Sequence, residues 1–334
     1  MGSPPRSPPR FLSMSRNDTP HAGTRFTRRR LLGLSLAGAF VAPRLTGCAG
    51  PLQVEPHREE ALFRISLAQW SLHRTHQSGT LATGDFARHA RDAFGLEAVE
   101  YVSSLFPADP TDASALAALR RHHDGLGVRT LLIMVDGEGT LGAASRAARD
   151  EAVDRHVKWI VAARTLGGHA IRVNAHGEGS WDERSAPVAE SLHRLALIGD
   201  EHGIDVVVEN HGGPSSNGGW LAKTLRAADH PRVGSLPDFG NFRIEGDTWY
   251  DRYRGVAELM PFARAVSAKS NAFDAAGNET GTDYERMLRI VLDAGYRGWI
   301  GIEYEGGAHS EDEGIRLTKD LLERTRARLS PLYS

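Results

Sequence analysis

Cysteine is all but missing from this chain. Cys48 is the only one among 334 residues, which excludes an intrachain disulfide and leaves stability to the core. No apolar run reaches the roughly 20 residues of a membrane-spanning helix; the N-terminal run Leu31–Val41 is too short. A Gly-rich phosphate loop after the first apolar run is also lacking, since Val135-Asp136-Gly137-Glu138-Gly139 imitates one only weakly, and this argues against an open dinucleotide-binding sheet. Basic surplus is confined to the start. Residues 1–47 hold eight arginines and one acid, Asp18, a surplus of +7, so with −2 for the whole chain the remaining 287 residues carry −9. A body that acidic is a poor nucleic-acid binder, because phosphate contacts need clustered Lys and Arg. There is no long Gly/Ser linker, no repeat beyond a βα period and no sign of a second domain.

The arginine-rich start has a pattern of its own. Thr27-Arg28-Arg29-Arg30-Leu31-Leu32 is a twin-arginine motif, followed by the short apolar run and then by Leu45-Thr46-Gly47-Cys48, similar to a bacterial lipoprotein processing box. Residues 1–47 are therefore expected to be a cleaved twin-arginine lipoprotein signal peptide, with Met14 as an alternative start. Cys48 is the expected lipidation site, residues 48–61 a polar tether, and the mature protein a periplasmic or cell-envelope lipoprotein that meets the membrane only through its lipidated N-terminus.

From Leu62 onward, apolar runs alternate with helical patterns at about 30–40 residue intervals, the length of a βα unit. Eight runs qualify as strands: Phe63–Trp70, Leu96–Tyr101, Val128–Val135, Ala170–Val173, Ile204–Glu209, Val233–Asp238, Ala265–Lys269 and Ile300–Glu303. Most follow a glycine that would end the preceding helix, such as Gly95, Gly127, Gly167, Gly203 and Gly295. Near-continuous apolar runs fit strands covered on both sides. The expected fold is α/β, a single (β/α)8 TIM barrel over residues 62–330.

Several of these runs close on an acid: Ile204–Glu209, Val233–Asp238 and Trp299–Glu303. A carboxylate at the end of a buried strand is costly unless a metal, a cation or a substrate compensates it. In a closed barrel all strand ends converge on one mouth. A structural ion-pair set with Lys269 and Arg172 is the alternative reading of the same residues.

Glu209, Asp238 and Glu303 at the ends of the fifth, sixth and eighth strands resemble the xylose isomerase-like TIM barrels. That superfamily contains sugar and sugar-phosphate isomerases and epimerases, dehydratases and an endonuclease. The stretches Ala265–Ser270, Gly277–Thr280, Asp283-Tyr284 and Gly301–Gly306 are similar to its exported members. The resemblance implies a divalent metal (Mn, Mg or Zn) held by Glu209, Asp238 and Glu303, with Glu209 and Glu303 also acting as the acid/base pair on a small carbohydrate. Ser267 stands where the family usually has a metal histidine. His211, two residues past Glu209 and on the same side of an extended chain, is the expected substitute, with His176 as a second. The other possibility at this point is that Lys269 supplies the positive charge and the metal is weak or absent; Lys269 is expected to be catalytic, as an oxyanion stabiliser or proton donor. Substrate contacts are expected from Glu100, Asn174, His176, Asn210, Asn241 and Trp70. The run Glu311-Asp312-Glu313 reads as a solvated helix start.

The activity implied is a keto-sugar isomerase or epimerase. A lyase or dehydratase using the same groups is the runner-up, and a non-catalytic sugar-binding lipoprotein is the rival from another class. Nucleic acid is not an expected partner, and a homo-oligomer is left open.

Overall fold

A computed structural model describes residues 61–333. The twin-arginine segment, Cys48 and most of the tether lie outside the described residues. Eight strands form one parallel sheet: β1 (Arg64–Ala68), β2 (Ala98–Val102), β3 (Arg129–Met134), β4 (Ala170–Val173), β5 (Asp205–Glu209), β6 (Val233–Leu236), β7 (Val266–Ser270) and β8 (Trp299–Tyr304). Their order is β6-β5-β4-β3-β2-β1-β8-β7. The ends meet through isolated parallel bridges, Ser235 with Ala263 and Asp238 with Ser267. Ser267 N donates to Pro237 O at 2.9 Å, and Phe239 N to Ser267 O at 3.0 Å. The sheet is thus a closed (β/α)8 barrel.

Helices return the chain from each strand's end to the next strand's start. Phe86–Phe94, Ala113–Leu126, Arg146–Leu166 and Trp181–His202 all stop at a glycine in the left-handed region, Gly95, Gly127, Gly167 and Gly203. A side chain there would be strained, so glycine lets the chain reverse at once. At the other end, Asp112, Ser145 and Ser180 cap their helices, Ser180 in a reciprocal capping box with Glu183. No helix among the described residues is long and apolar enough to cross a membrane.

Strand periodicity divides the core in two. Outward residues such as Tyr101, Ile133, Val206, Val208 and Ile302 pack under the helices. Inward residues Ala68, Val102, Leu132, Met134, Ala170, Val207, Leu236 and Ala265 form a separate cluster that fills the barrel. Because Val207 points in, Glu209 two residues on does so too, at the strand's C-terminal end. The sequence expectation differs from the structure at three places. Gln69–Leu72 is a short 3-10 turn, so Trp70 lies beyond the strand. Asp238 follows the end of β6 by two residues. A small antiparallel hairpin, Arg243–Glu245 with Thr248–Trp249, was not anticipated.

Candidate functional site

Glu209 from β5, Asp238 beyond β6 and Glu303 from β8 point into the barrel mouth. One carboxylate oxygen from each lies within 4.8 Å of the other two. All three residues are at most 4 % exposed. Burial of three anions is costly, and the structure answers it with two permanent cations. Arg172 of β4 places Nε 2.9 Å from Glu209 Oε2. Lys269 of β7 places Nζ 3.3 Å from Glu303 Oε1 and 3.2 Å from Glu305.

Neutral groups complete the set. Ser267 Oγ lies 2.6 Å from Asp238 Oδ2 and 2.8 Å from Glu303 Oε2, bridging two of the acids. Asn241 donates through Nδ2 to Glu209 Oε1 at 2.8 Å and accepts from Lys269 Nζ at 3.1 Å. Backbone N–H groups of Gly240 and Asn241 both donate to Asp238 Oδ1.

These contacts divide the acids. Burial raises Glu209 and Asp238 above the ordinary carboxylate range, against Arg172 for the first and Lys269 for the second, with the neighbouring acids adding to the rise. For Glu303 burial works the same way, but Lys269, the Ser267 hydroxyl and Arg172 hold it below that range. Lys269 is itself raised: burial opposes its charge, and Glu303, Asp238, Glu305 and Glu209 outweigh burial. Three oxygen donors facing one point fit a hard divalent cation. Glu209, Asp238 and Glu303 are the residues that would hold it.

The other expected residues are placed as follows. His211 stands apart from the three carboxylates, with Nδ1 2.9 Å from Asn174 Oδ1, so the structure brings together three of the four expected ligands. Asn174 donates to Asp136 Oδ1 at 2.6 Å. His176 is exposed and stacks on His211, ring centroids 6.4 Å apart. Asn210 is fully buried and clamps Asp238: it accepts from Asp238 N and donates to Asp238 O and Asn241 O, which leaves it a structural pin instead of a sugar contact. Trp70 is half-buried, stacked on His73 at 4.6 Å and packed on the inner cluster. Glu311 is not solvated as the sequence suggested. It is buried and accepts from the backbone N–H groups of Arg74 and Thr75.

Glu100 requires the clearest correction. Its carboxyl turns away from the mouth, accepts from Ser66 Oγ at 2.6 Å and leaves Oε2 without a partner among the described residues. A Cβ added at Gly301, two residues before Glu303, would lie 2.7 Å from Glu100 Oε1, so this glycine makes the room. Burial first, with Glu303 and Glu209 adding, raises Glu100 to about 7. A carboxyl whose folded pKa exceeds its unfolded one gives stability that is full below the unfolded value and lost as pH rises through the folded value. Glu100→Gln keeps the acceptor for Ser66 and cannot ionise. Its unfolding free energy at pH 8 is expected to exceed that of the parent by about 2–3 kcal/mol, with the difference shrinking toward pH 4.5. Urea titrations across that range would show the convergence; parallel profiles would refute it.

Sequence reasoning passed over Asp136 and Glu305. Asp136 also closes an apolar run, after Val135, and that signal was available. Glu305 lies two residues past Glu303 and so on the same side of the strand.

A parallel eight-stranded barrel with an anionic cluster where its strand ends converge defines the class: a TIM barrel with its site at the usual face. A sequence profile of the xylose isomerase-like TIM barrel family matches residues 87–326, and the chain belongs to that family. Among solved structures, an L-ribulose 3-epimerase is similar at 16% identity and a TM-score of 0.63, covering 81% of this chain and 98% of its own. An IolI protein with a bound zinc atom is similar at 11% identity and a TM-score of 0.62, covering 80% and 99%. The 3-keto-D-glucoside 4-epimerase YcjR of E. coli is similar at 14% identity and a TM-score of 0.56, covering 73% and 94%. At such identities the likeness is one of fold. No protein of curated function matches the chain in sequence.

Proposed function

We propose that this chain is an isomerase or epimerase of a keto-sugar, working by proton transfer at the carbon next to the carbonyl. The observation that carries the reading is the meeting of Glu209, Asp238 and Glu303 in the barrel mouth. The structural relatives include a ketose 3-epimerase and a keto-glucoside 4-epimerase, which supports the same class of substrate.

Glu209 and Glu303 reach the mouth from β5 and β8 and serve as the acid/base pair. One takes the proton as the C–H bond breaks; the electron pair moves into the carbon–carbon bond and leaves charge on the carbonyl oxygen. The other returns a proton on the opposite face, or at the neighbouring carbon, which gives the epimer or the isomer. Lys269 carries a permanent positive charge into this space and offsets the developing oxyanion. Asn241 joins Glu209 to Lys269 and holds their separation, and Arg172 fixes the far side of Glu209. A divalent ion bound by the three carboxylates would add Lewis-acid polarisation of the carbonyl.

Export and lipidation at Cys48 belong to the same proposal. They would set the enzyme against free keto-sugars or oxidised glycosides outside the cytoplasm. The test is incubation of the purified protein with ketoses in D₂O, with metal analysis of the same sample. Deuterium uptake at an adjacent carbon without change of composition is expected, together with about one divalent ion per chain. Loss of water or an aglycone would move the reading to a lyase. Neither exchange nor bound metal would reduce the protein to a sugar binder.

A further inference from the structure

A chain of polar groups ties His211 to the barrel, and its donors and acceptors can be ordered in only one way. The Asp136 carboxylate only accepts, and Oδ1 receives Arg172 Nη1 at 2.8 Å and Asn174 Nδ2 at 2.6 Å. Arg172 only donates, and the same Nη1 lies 3.4 Å from Asn174 Oδ1. The amide is thus fixed from both sides: flipped, it would turn its oxygen to a carboxylate and its NH₂ to a guanidinium. Asn174 Oδ1 is then the acceptor 2.9 Å from His211 Nδ1, so Nδ1 carries the ring proton. A neutral imidazole protonated there has a bare Nε2. No hydrogen bond reaches that atom among the described residues, and it is not sealed from solvent. The ring is half-buried.

We propose that His211 is a substrate-contacting residue whose bare Nε2 accepts a hydrogen bond from a sugar hydroxyl, and that Asn174 is the positioning residue that sets its tautomer. The contact rests on the keto-sugar reading for its ligand; the tautomer stands without it. An imidazole held in this form selects a donor at that point of the sugar and discriminates against a deoxy or keto group placed there.

The experiment is long-range ¹H–¹⁵N correlation of the histidine rings in the full chain, with His211 assigned by the signals lost in His211→Gln. A proton on Nδ1 is expected, and a proton on Nε2 overturns the proposal. Asn174→Leu, checked for an unchanged fold by circular dichroism, is expected to abolish the preference. An unchanged tautomer would remove Asn174 from its role. Saturating L-ribulose, D-psicose or D-tagatose is then added, and at least one is expected to move the Nε2 resonance. A resonance unmoved by all three overturns the contact, whatever deuterium exchange shows. Movement without exchange would sink the enzyme reading and leave this contact standing. Where exchange occurs, His211→Leu should raise KM by about 5- to 100-fold, the effect of leaving a bound hydroxyl unpaired. His211→Gln, whose Oε1 can accept in the same region, should recover most of it.

Discussion

Glu303→Gln is expected to lower kcat for proton exchange by about 10³- to 10⁴-fold, and Glu209→Gln by a similar factor. Each substitution keeps the shape and removes the group able to hold a proton between abstraction and return. The double variant should be little worse than either single one, because two residues that act as a unit lose their joint effect once. The two differ in stability. Glu303 is the direct partner of Lys269 and accepts from Ser267, so its loss leaves a buried ammonium with Glu305 as its remaining close acid. Glu209 is held above the ordinary carboxylate range, so its neutral replacement costs less. Deuterium incorporation into the ketose gives the rates and thermal melting the stability. Either single variant keeping more than about a tenth of the parent kcat would remove it from the acid/base pair.

The second large effect is on folding. Lys269→Met fills the same space without charge, and Lys269 is only 5 % exposed. Breaking a buried ion pair by removing one partner costs about 3–5 kcal/mol, because the other charge remains uncompensated. The sign of the pH dependence follows from the two shifts. Lys269 is raised, so its contribution is present below its unfolded pKa and is lost as pH rises through the folded one. Glu303 is lowered, so its contribution is present above its unfolded pKa and is lost as pH falls through the folded one. The pair is therefore complete at neutral pH, and the deficit of Lys269→Met should be largest near pH 8 and smaller near pH 4, where the raised acids Glu209 and Asp238 are protonated and Glu303, without Lys269 to hold it down, protonates more readily. A divalent ion should restore part of it near pH 8, replacing one cation by another. Urea unfolding at both pH values, with chelator and with Mn²⁺, measures this. A variant as stable as its parent near pH 8 in chelator would show that Lys269 does not balance the acids.

Much of this site is legible along the chain because it follows from periodicity. Glu209, Asp238 and Glu303 each end an apolar run, and parallel strands in a closed barrel have only one face on which such ends can meet. Lys269 and Glu303 are paired directly in the register of β7 with β8. The errors concern side-chain direction, which distant residues decide. Glu100 turns down into the barrel because Gly301 leaves it space and Ser66 a hydrogen bond. Trp70 leaves the strand where the Gln69 side chain accepts from Val102 N and donates to Leu105 O, more than thirty residues away. His211 is oriented by its hydrogen bond to Asn174, thirty-seven residues earlier. None of these partners is visible in local pattern.

The joint between β6 and β7 is built differently from the rest of the sheet. Seven neighbouring pairs of strands are zipped by continuous ladders, one of them with a register shift at Val99/Glu100, whereas this one is stitched at isolated points, and one stitch is Asp238 to Ser267. Asp238, one of the three residues that would grip an ion, is thus also part of the clasp of the cylinder. An ion that needs Asp238 in place binds the barrel with this joint made, so occupancy of the mouth and integrity of the barrel are thermodynamically linked, and each strengthens the other.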